Sequence, residues 1–327
     1  MQQELIDNHG RRIDYLRLSV TDRCNQRCFY CLPKGAKNFE PPSNWLTEEE
    51  TVRIAATFAR LGMSRIRFTG GEPLVRRGLA SLVARIGVLD GIEDLSLSTN
   101  ASLLTRHADS LRLSGIRRIN VSLDSLRPER YREITRGELA FVLSGLQVAR
   151  SVGFRPIKIN MLVMRGVNDD EVGDMLDFCI EHDFTLRFIE AMPVGTGGRE
   201  ATRRYIALDE VRERLSHRYE LLPGIMAGGG PARYARVSGT DVTVGFISPM
   251  SQHFCPSCNR VRLTVEGRLL LCLGQEDSVD LRSFLRSGAN DEDLEVAIRN
   301  ALACKPERHQ FNELPEKVAR FMSYSGG

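Results

Sequence analysis

A chain of 327 residues, 42% of them apolar, is long enough for one large domain or two ordinary ones and carries the material for a full core. Its formal charge of +3 excludes nucleic-acid binding through overall charge, and no uninterrupted run of 18 apolar residues could serve as a helical membrane span. Residues 1–10 are polar, without the basic-then-apolar order of a secretory leader, so a cytoplasmic location is expected and the eight cysteines read as ligands, not disulfides.

Along the chain, Leu16, Leu18 and Val20 alternate with polar residues in a first strand, and Cys24, Cys28 and Cys31 follow it directly. A helix over 48–61 is predicted from Thr47 as N-cap, Glu50 closing a capping box and Gly62 as the stop. Short apolar runs recur at Ile66–Thr69, Leu95–Thr99, Ile119–Leu123, Ile157–Val163 and Leu186–Ile189, separated by helical stretches such as Arg106–Leu113, Leu139–Ser151 and Asp170–His182. Six such units imply an α/β fold with a parallel sheet, either doubly wound or an incomplete (β/α) barrel.

Beyond Pro193 the rhythm breaks at the glycines of Gly195–Gly198. A helix at Leu208–His217 and a loose segment with Gly228, Gly229, Gly230 and Pro231 come next. Two candidate strands, Arg233–Val237 and Val242–Phe246, precede a hairpin of Val261–Val265 and Arg268–Leu273 around Glu266-Gly267. Two more helices and a polar tail ending Gly326-Gly327 complete the chain, which divides into 1–192 and a C-terminal α+β extension, 193–327.

Two cysteine groups carry the chemistry. Cys24-x3-Cys28-x2-Cys31 places three thiols on one loop without a local fourth, the pattern of a site whose open position takes a substrate. A structural zinc with a distant fourth ligand is the alternative, although zinc loops usually pair ligands as C-x2-C. Cys255-x2-Cys258-x13-Cys272 repeats the three-thiol arrangement, and by spacing it fits either a second cluster or a zinc knuckle completed by His253. Arg260 and Arg262 lie on one face of the strand between these cysteines, suited to gripping an anion bound there. The pairs Arg117-Arg118 and Arg203-Arg204 are further candidates for phosphate. Cys179 and Cys304, isolated on predicted helices, are expected to be buried and inert.

Cys24-x3-Cys28-x2-Cys31, with Tyr30 before the last cysteine, resembles the signature of the radical S-adenosylmethionine superfamily. Phe68-Thr69-Gly70-Gly71-Glu72-Pro73 resembles its second motif, which receives the amino group of S-adenosylmethionine; two glycines would let backbone carbonyls approach that ligand. The second cysteine group with its Asn259-Arg260-Val261-Arg262 insert is similar to the GTP 3′,8-cyclases of molybdenum-cofactor biosynthesis, and the likeness runs from Asp14–Arg23 to the closing glycines.

The resemblance implies an incomplete (β/α)6 barrel closed laterally by an extension with a second [4Fe–4S] cluster, hence iron at both trios. It implies radical conversion of GTP to (8S)-3′,8-cyclo-7,8-dihydroguanosine 5′-triphosphate, with S-adenosylmethionine held by Tyr30, Gly71, Ser122 and Met192. GTP would meet Arg17, Arg67, Ser98, Lys158, Arg260 and Arg262, with the tail Gly326-Gly327 entering the site. Ser98, Ser122 and Met192 fall at predicted strand ends, where barrel sites gather, while Arg17, Arg67 and Lys158 lie within strands. One departure stands out: where the family shows Thr-Thr-Asn-Gly, this chain has Ser98-Thr99-Asn100-Ala101.

Implied partners are a reductant protein, the cyclic pyranopterin monophosphate synthase that takes the product, and a second copy in a homodimer, with no membrane or nucleic acid. Competing readings are a radical peptide maturase with an auxiliary cluster, which would usually carry more C-terminal cysteines, and a metal-containing regulator that binds nucleic acid. The near-neutral charge and the lack of a helix-turn-helix or finger pattern oppose the regulator.

Overall fold

The computed structural model describes residues 4–32, 43, 45–226 and 230–326. Gly228, Gly229 and Gly327, singled out above, lie outside the described residues. Six parallel strands form the centre: β1 (Tyr15–Ser19), β2 (Arg65–Thr69), β3 (Asp94–Thr99), β4 (Arg118–Ser122), β5 (Ile157–Leu162) and β6 (Thr185–Ile189). Each pairs with the next in sequence. A doubly wound sheet reverses its strand order at a switch point. This order never reverses, which selects the partial barrel.

The connecting helices are α1 (Glu48–Arg60), α2 (Leu79–Gly87), α3 (Leu104–Leu113), α4 (Pro128–Thr135), α5 (Leu139–Ser151) and α6 (Val172–His182). In α1 the expected capping box forms: Glu50 N donates to Thr47 Oγ1 at 3.1 Å, and Thr47 N donates to Glu50 Oε2 at 2.8 Å. A cap of this kind contributes about 1 kcal/mol.

Parallel strands are usually apolar on both faces. Here they alternate. Leu16, Leu18, Ile66, Phe68, Leu97, Val121, Ile159 and Phe188 are buried in the main apolar core, each contributing about 1.5–3 kcal/mol of transfer free energy. The intervening positions are polar: Arg17 sits in register with Arg67 on one side and Arg262 on the other, and Asn160 with Arg187. The barrel therefore keeps a polar, strongly basic inner face.

The rest of the chain extends both edges of the same sheet. After α7 (Gly195–Thr202) and α8 (Leu208–Ser216) come β7 (Leu221–Gly224), β8 (Arg233–Val237) and β9 (Thr243–Ile247), and β9 lies parallel to β6. Strands β10 (Arg260–Leu263), β11 (Arg268–Leu270) and β12 (Ser278–Asp280) add to the opposite edge, with β10 parallel to β1. Residues 248–259, which hold Cys255 and Cys258, must therefore cross from one edge of the sheet to the other. Helices α9 (Leu281–Arg286), α10 (Asp291–Ala303) and α11 (Met322–Ser325) finish the chain.

Three sequence expectations change. The glycine stretch at 195–198 is the start of helix α7, not a break; a Cβ on Gly197 would meet Phe29 O at 2.7 Å and one on Gly198 would meet Met192 O at 2.4 Å, so the glycines let this helix press on the first cysteine loop. Cys179 is buried as expected, but Cys304 caps α10 and is exposed. Arg118 and Arg203 are taken by Asp94 and Glu200 in ion pairs, which removes them as free phosphate ligands.

Candidate active site

The first cysteine loop leaves β1 and is tied down by neighbouring backbone. Arg27 N donates to Thr135 O at 2.8 Å and Phe29 N to Ile134 O at 3.1 Å, both at the C-terminal end of α4. Inside the loop, Cys31 N and Leu32 N both reach Cys28 O, at 3.0 and 3.1 Å, and Gln26 N lies 3.3 Å from Cys24 Sγ. Burial pushes the thiols up, Cys24 to about 11 and Cys31 to about 12, and Cys28 well above the usual range with Cys31, Asp124 and Cys24 adding repulsion. Three half-buried thiols that repel one another as anions need a shared cation. Among the described residues they do not form the compact donor group that one ion would use. A cubane held at three corners fits this donor set, and a lone zinc does not.

The Gly70-Gly71-Glu72 turn packs against the same loop. Gly71 N donates to Thr21 O at 2.8 Å and Glu72 N to Arg23 O at 2.7 Å, while a Cβ on Gly71 would stand 2.2 Å from Arg23 O. The close approach these glycines permit is thus to the chain's own backbone. Glu72 is buried and its carboxylate accepts from Thr99 Oγ1, Leu74 N and Asn100 N at 2.8, 3.0 and 2.6 Å. Burial outweighs those bonds and raises it to about 7. Tyr30 lies between Cys28 and Cys31, and its hydroxyl donates to Asp124 Oδ2 at 2.6 Å; burial raises Asp124 to about 6.

A cavity of about 280 Å³ opens on the inner face. Tyr30, Ser122 and Met192 reach it from the first cysteine side, Arg17, Arg67 and Ser98 from the strands, and Cys255, Cys258, Cys272, Arg260 and Arg262 from the far side. Ser98 faces the cavity, whereas Thr99 is committed to Glu72 and to Ala101 N (3.0 Å). Ala101 takes the left-handed φ of 62° that a glycine would adopt freely, so the loop keeps its path at a cost of about 1–2 kcal/mol. Gly71 and Lys158 do not line the cavity. Lys158 is buried with Nζ 3.4 Å from Tyr234 Oη, and burial together with Arg187, Arg118 and Arg67 pulls it down to about 7.

The arginines crowd together. Burial and mutual repulsion lower Arg17 well below its usual range, Arg67 to about 10 and Arg262 to about 9. Arg260 Nε is buried without a hydrogen-bond partner among the described residues. Such a set has one obvious complement, a polyanion. Sequence reasoning missed Arg187, which lines the cavity and donates to Asn160 Oδ1 at 2.8 Å and to Asn120 Oδ1. It occupies an alternate position of a largely apolar strand, between Leu186 and Phe188, a pattern legible in the sequence. Asp124, also missed, follows Ser122 by two residues.

The second cysteines sit in a different field. Cys255 begins a short 3-10 turn closed by Cys258 N to Cys255 O at 3.1 Å, and Cys272 follows β11. Burial raises Cys258, but Lys305, Arg260 and Arg11 outweigh it and leave the thiol below its usual value. His253 groups with Cys255 and His309, their donor atoms within 4.8 Å of one another, and that group takes in neither Cys258 nor Cys272. The residues of the expected knuckle thus do not make one compact donor group among the described residues, and a cluster held at three corners fits the trio's donors better. The tail reaches the same place: Arg262 Nη1 donates to Ser325 O at 3.1 Å and to Gly326 O, and Gly326 packs on Thr69. Glu190 pins the crossing segment by accepting from Met250 N (2.8 Å) and Ser251 N (3.1 Å).

Comparison with known proteins agrees with this geometry. Residues 18–179 match the family described as Radical SAM superfamily, and residues 184–311 the one described as Molybdenum Cofactor Synthesis C. The chain is 49% identical over 326 residues to GTP 3′,8-cyclase 1 of Pseudomonas aeruginosa, spanning 98% of this chain and 99% of that protein. It is 47% identical over 314 residues to GTP 3′,8-cyclase of Hydrogenovibrio crunogenus, spanning 94% and 95%. Among solved structures, Streptococcus suis SuiB bound to S-adenosylmethionine superposes with a TM-score of 0.65 at 16% identity, over 98% of this chain and 78% of that one, a likeness of fold.

Proposed function

The chain belongs to the GTP 3′,8-cyclase family of the radical S-adenosylmethionine superfamily, and on that premise we propose that the basic cavity on the inner face of the barrel holds S-adenosylmethionine at one end and GTP at the other. It converts GTP to (8S)-3′,8-cyclo-7,8-dihydroguanosine 5′-triphosphate, the first step of molybdenum-cofactor biosynthesis. The observation that carries the reading is one cavity bounded by Tyr30 of the first cysteine loop and by the second cysteine trio with its arginines. A [4Fe–4S] cluster on Cys24, Cys28 and Cys31, with S-adenosylmethionine on its open iron, supplies hydrogen-atom abstraction when bound.

The residues divide the remaining work. Tyr30, Ser122 and Met192 border the S-adenosylmethionine end, while Gly71 acts through backbone that fixes the cysteine loop. Asp124 orients Tyr30. Arg17, Arg67, Arg260 and Arg262 neutralise the triphosphate and hold the ribose at one distance from the radical source, where orientation contributes most to rate. Ser98 offers a hydroxyl to the nucleotide, Arg187 adds positive charge on the cavity wall, and Lys158 stands behind that wall beside Tyr234. Cys255, Cys258 and Cys272 would hold the second [4Fe–4S] cluster, which would supply a binding point for the guanine. The Gly326 carbonyl, bound by Arg262, brings the tail against the nucleotide. The division of labour follows the boundary 1–192 and 193–327, with the radical source on the first part and the substrate cluster on the second.

The family resemblance extends the proposal to partners. A reductant protein delivers the electron, cyclic pyranopterin monophosphate synthase takes the product, and two copies pair as a homodimer in the cytoplasm. Among the described residues no helix is long and apolar enough to cross a membrane. The test is anaerobic incubation of the iron-loaded chain with GTP, S-adenosylmethionine and a reductant. 5′-Deoxyadenosine and a cyclised nucleotide should appear together. Eight irons per chain with no cyclised nucleotide would overturn the assignment.

A further inference from the structure

Three buried cations, each from a different segment, grip the backbone around the second cysteine trio. Arg11 Nη1 donates to Cys255 O at 3.1 Å, Arg320 Nη2 donates to Cys272 O at 3.1 Å, and Lys305 Nζ donates to Arg260 O at 3.1 Å and to Leu271 O. Two of the three are balanced: Arg11 pairs with Asp7 at 2.6 Å and Arg320 with Glu276 at 2.8 Å. Lys305 differs. It is 3% exposed, its hydrogen bonds go to two backbone carbonyls, and among the described residues no carboxylate pairs with it. Its ammonium lies between the strand start that follows Cys258 and the residue before Cys272. At the first trio, Arg27 reaches Cys24 O at 2.5 Å, and the buried carboxyls of Glu72 and Asp124 face that loop.

A three-thiolate [4Fe–4S] cluster gains negative charge when reduced. An unbalanced cation held close to it in a dry setting favours that reduced form, because Coulomb interactions weaken slowly with distance at low dielectric. We propose that Lys305 is a positioning residue that raises the electron affinity of the second cluster, both by locking the two arms carrying Cys258 and Cys272 and by adding, to the charge of Arg260 and Arg262, a buried positive charge with no carboxylate partner among the described residues. The inference rests on the reading that this trio holds a cluster. The two fail differently: four irons per wild-type chain would sink the reading, whereas the proposal concerns the potential of a chain that carries eight.

The experiment is a potentiometric titration of the fully loaded enzyme followed by electron paramagnetic resonance, in the wild type and in Lys305→Met, Lys305→Gln and Lys305→Arg. The signal that responds to added GTP reports the second cluster. Its one-electron equilibrium should shift toward the oxidised form by about tenfold in the Met and Gln variants, which is about 59 mV. The other signal should stay in place, and Lys305→Arg should restore the wild-type value. Lys305→Gln keeps a donor for the carbonyls and removes only the charge. Loss of the second cluster in both neutral variants, with retention in Lys305→Arg, supports the same role. A wild-type potential in either neutral variant, or loss of the cluster in Lys305→Arg as well, overturns it.

Discussion

Replacing Gly71 with alanine tests the coupling between the glycine turn and the first cysteine loop. A methyl at this position would stand 2.2 Å from Arg23 O, 2.6 Å from Arg23 C and 2.8 Å from Asp22 O. All three are backbone atoms, so no rotamer change can relieve the overlap. The loop must move away, and it takes with it two short bonds, Gly71 N to Thr21 O (2.8 Å) and Glu72 N to Arg23 O (2.7 Å). Leaving two such groups unsatisfied costs about 2–6 kcal/mol, at about 1–3 kcal/mol each. Cys24 follows Arg23 directly, so the displacement falls on the first trio. Iron and sulfide analysis of anaerobically reconstituted Gly71→Ala should find about four irons per chain where the wild type holds about eight. The melting temperature should drop by about 3–9 °C, at about 1.5 °C per kcal/mol for a chain of this length. Gly173→Ala is the control, since its helical site meets only the tip of Arg218 at 3.4 Å. Full loading and an unchanged melting temperature in Gly71→Ala would refute the reasoning.

Other expectations follow from the same geometry. Arg260→Ala with Arg262→Ala should weaken GTP binding by more than about 100-fold, from two charge-assisted contacts of about 1.5–3 kcal/mol each, and leave the first cluster's spectrum intact; unchanged affinity in a binding titration counts against the anion site. Glu72 is held up to about 7 against an ordinary 4.5, so between those values the folded chain keeps a proton that the unfolded chain has released. Stability should therefore fall by about 3 kcal/mol as pH rises from about 4.5 to about 7, then level off. Denaturation midpoints measured without S-adenosylmethionine should show that slope in the wild type and lose it in Glu72→Gln. In the loaded enzyme a thiol reagent should modify Cys304 quickly and Cys179 only after unfolding, since the first is exposed and the second buried; fast labelling of several cysteines would mean that the trios are not ligated. Deleting Gly326-Gly327 should keep the iron content and cut product formation by at least about tenfold, because Arg262 loses a carbonyl that holds it.

Local chemistry made much of this protein legible from its residues. Three cysteines on one loop, a capping box at Thr47 and strands with polar alternates depend on spacing within a few residues, so they could be read without coordinates. The β/α alternation left a doubly wound sheet and a partial barrel both open, and the family likeness chose the barrel and supplied the cofactor and substrate. What could not be read were matters of contact between distant segments. The Gly195–Gly198 run looked like a break because glycine is a poor helix former; only the pressure of Phe29 and Met192 against that face makes it the right residue there. Thr99 and Ser98 are adjacent and alike, yet the pleat sends one to Glu72 and the other to the cavity. Cys304 and Cys179 each stand alone on a helix, and packing decides which is exposed. Lys305 lies 33 residues beyond Cys272 in an unremarkable stretch. It becomes part of the second cluster's surroundings only because the end of α10 delivers it beneath β10 and β11, a placement fixed by tertiary packing and not by any pattern along the chain.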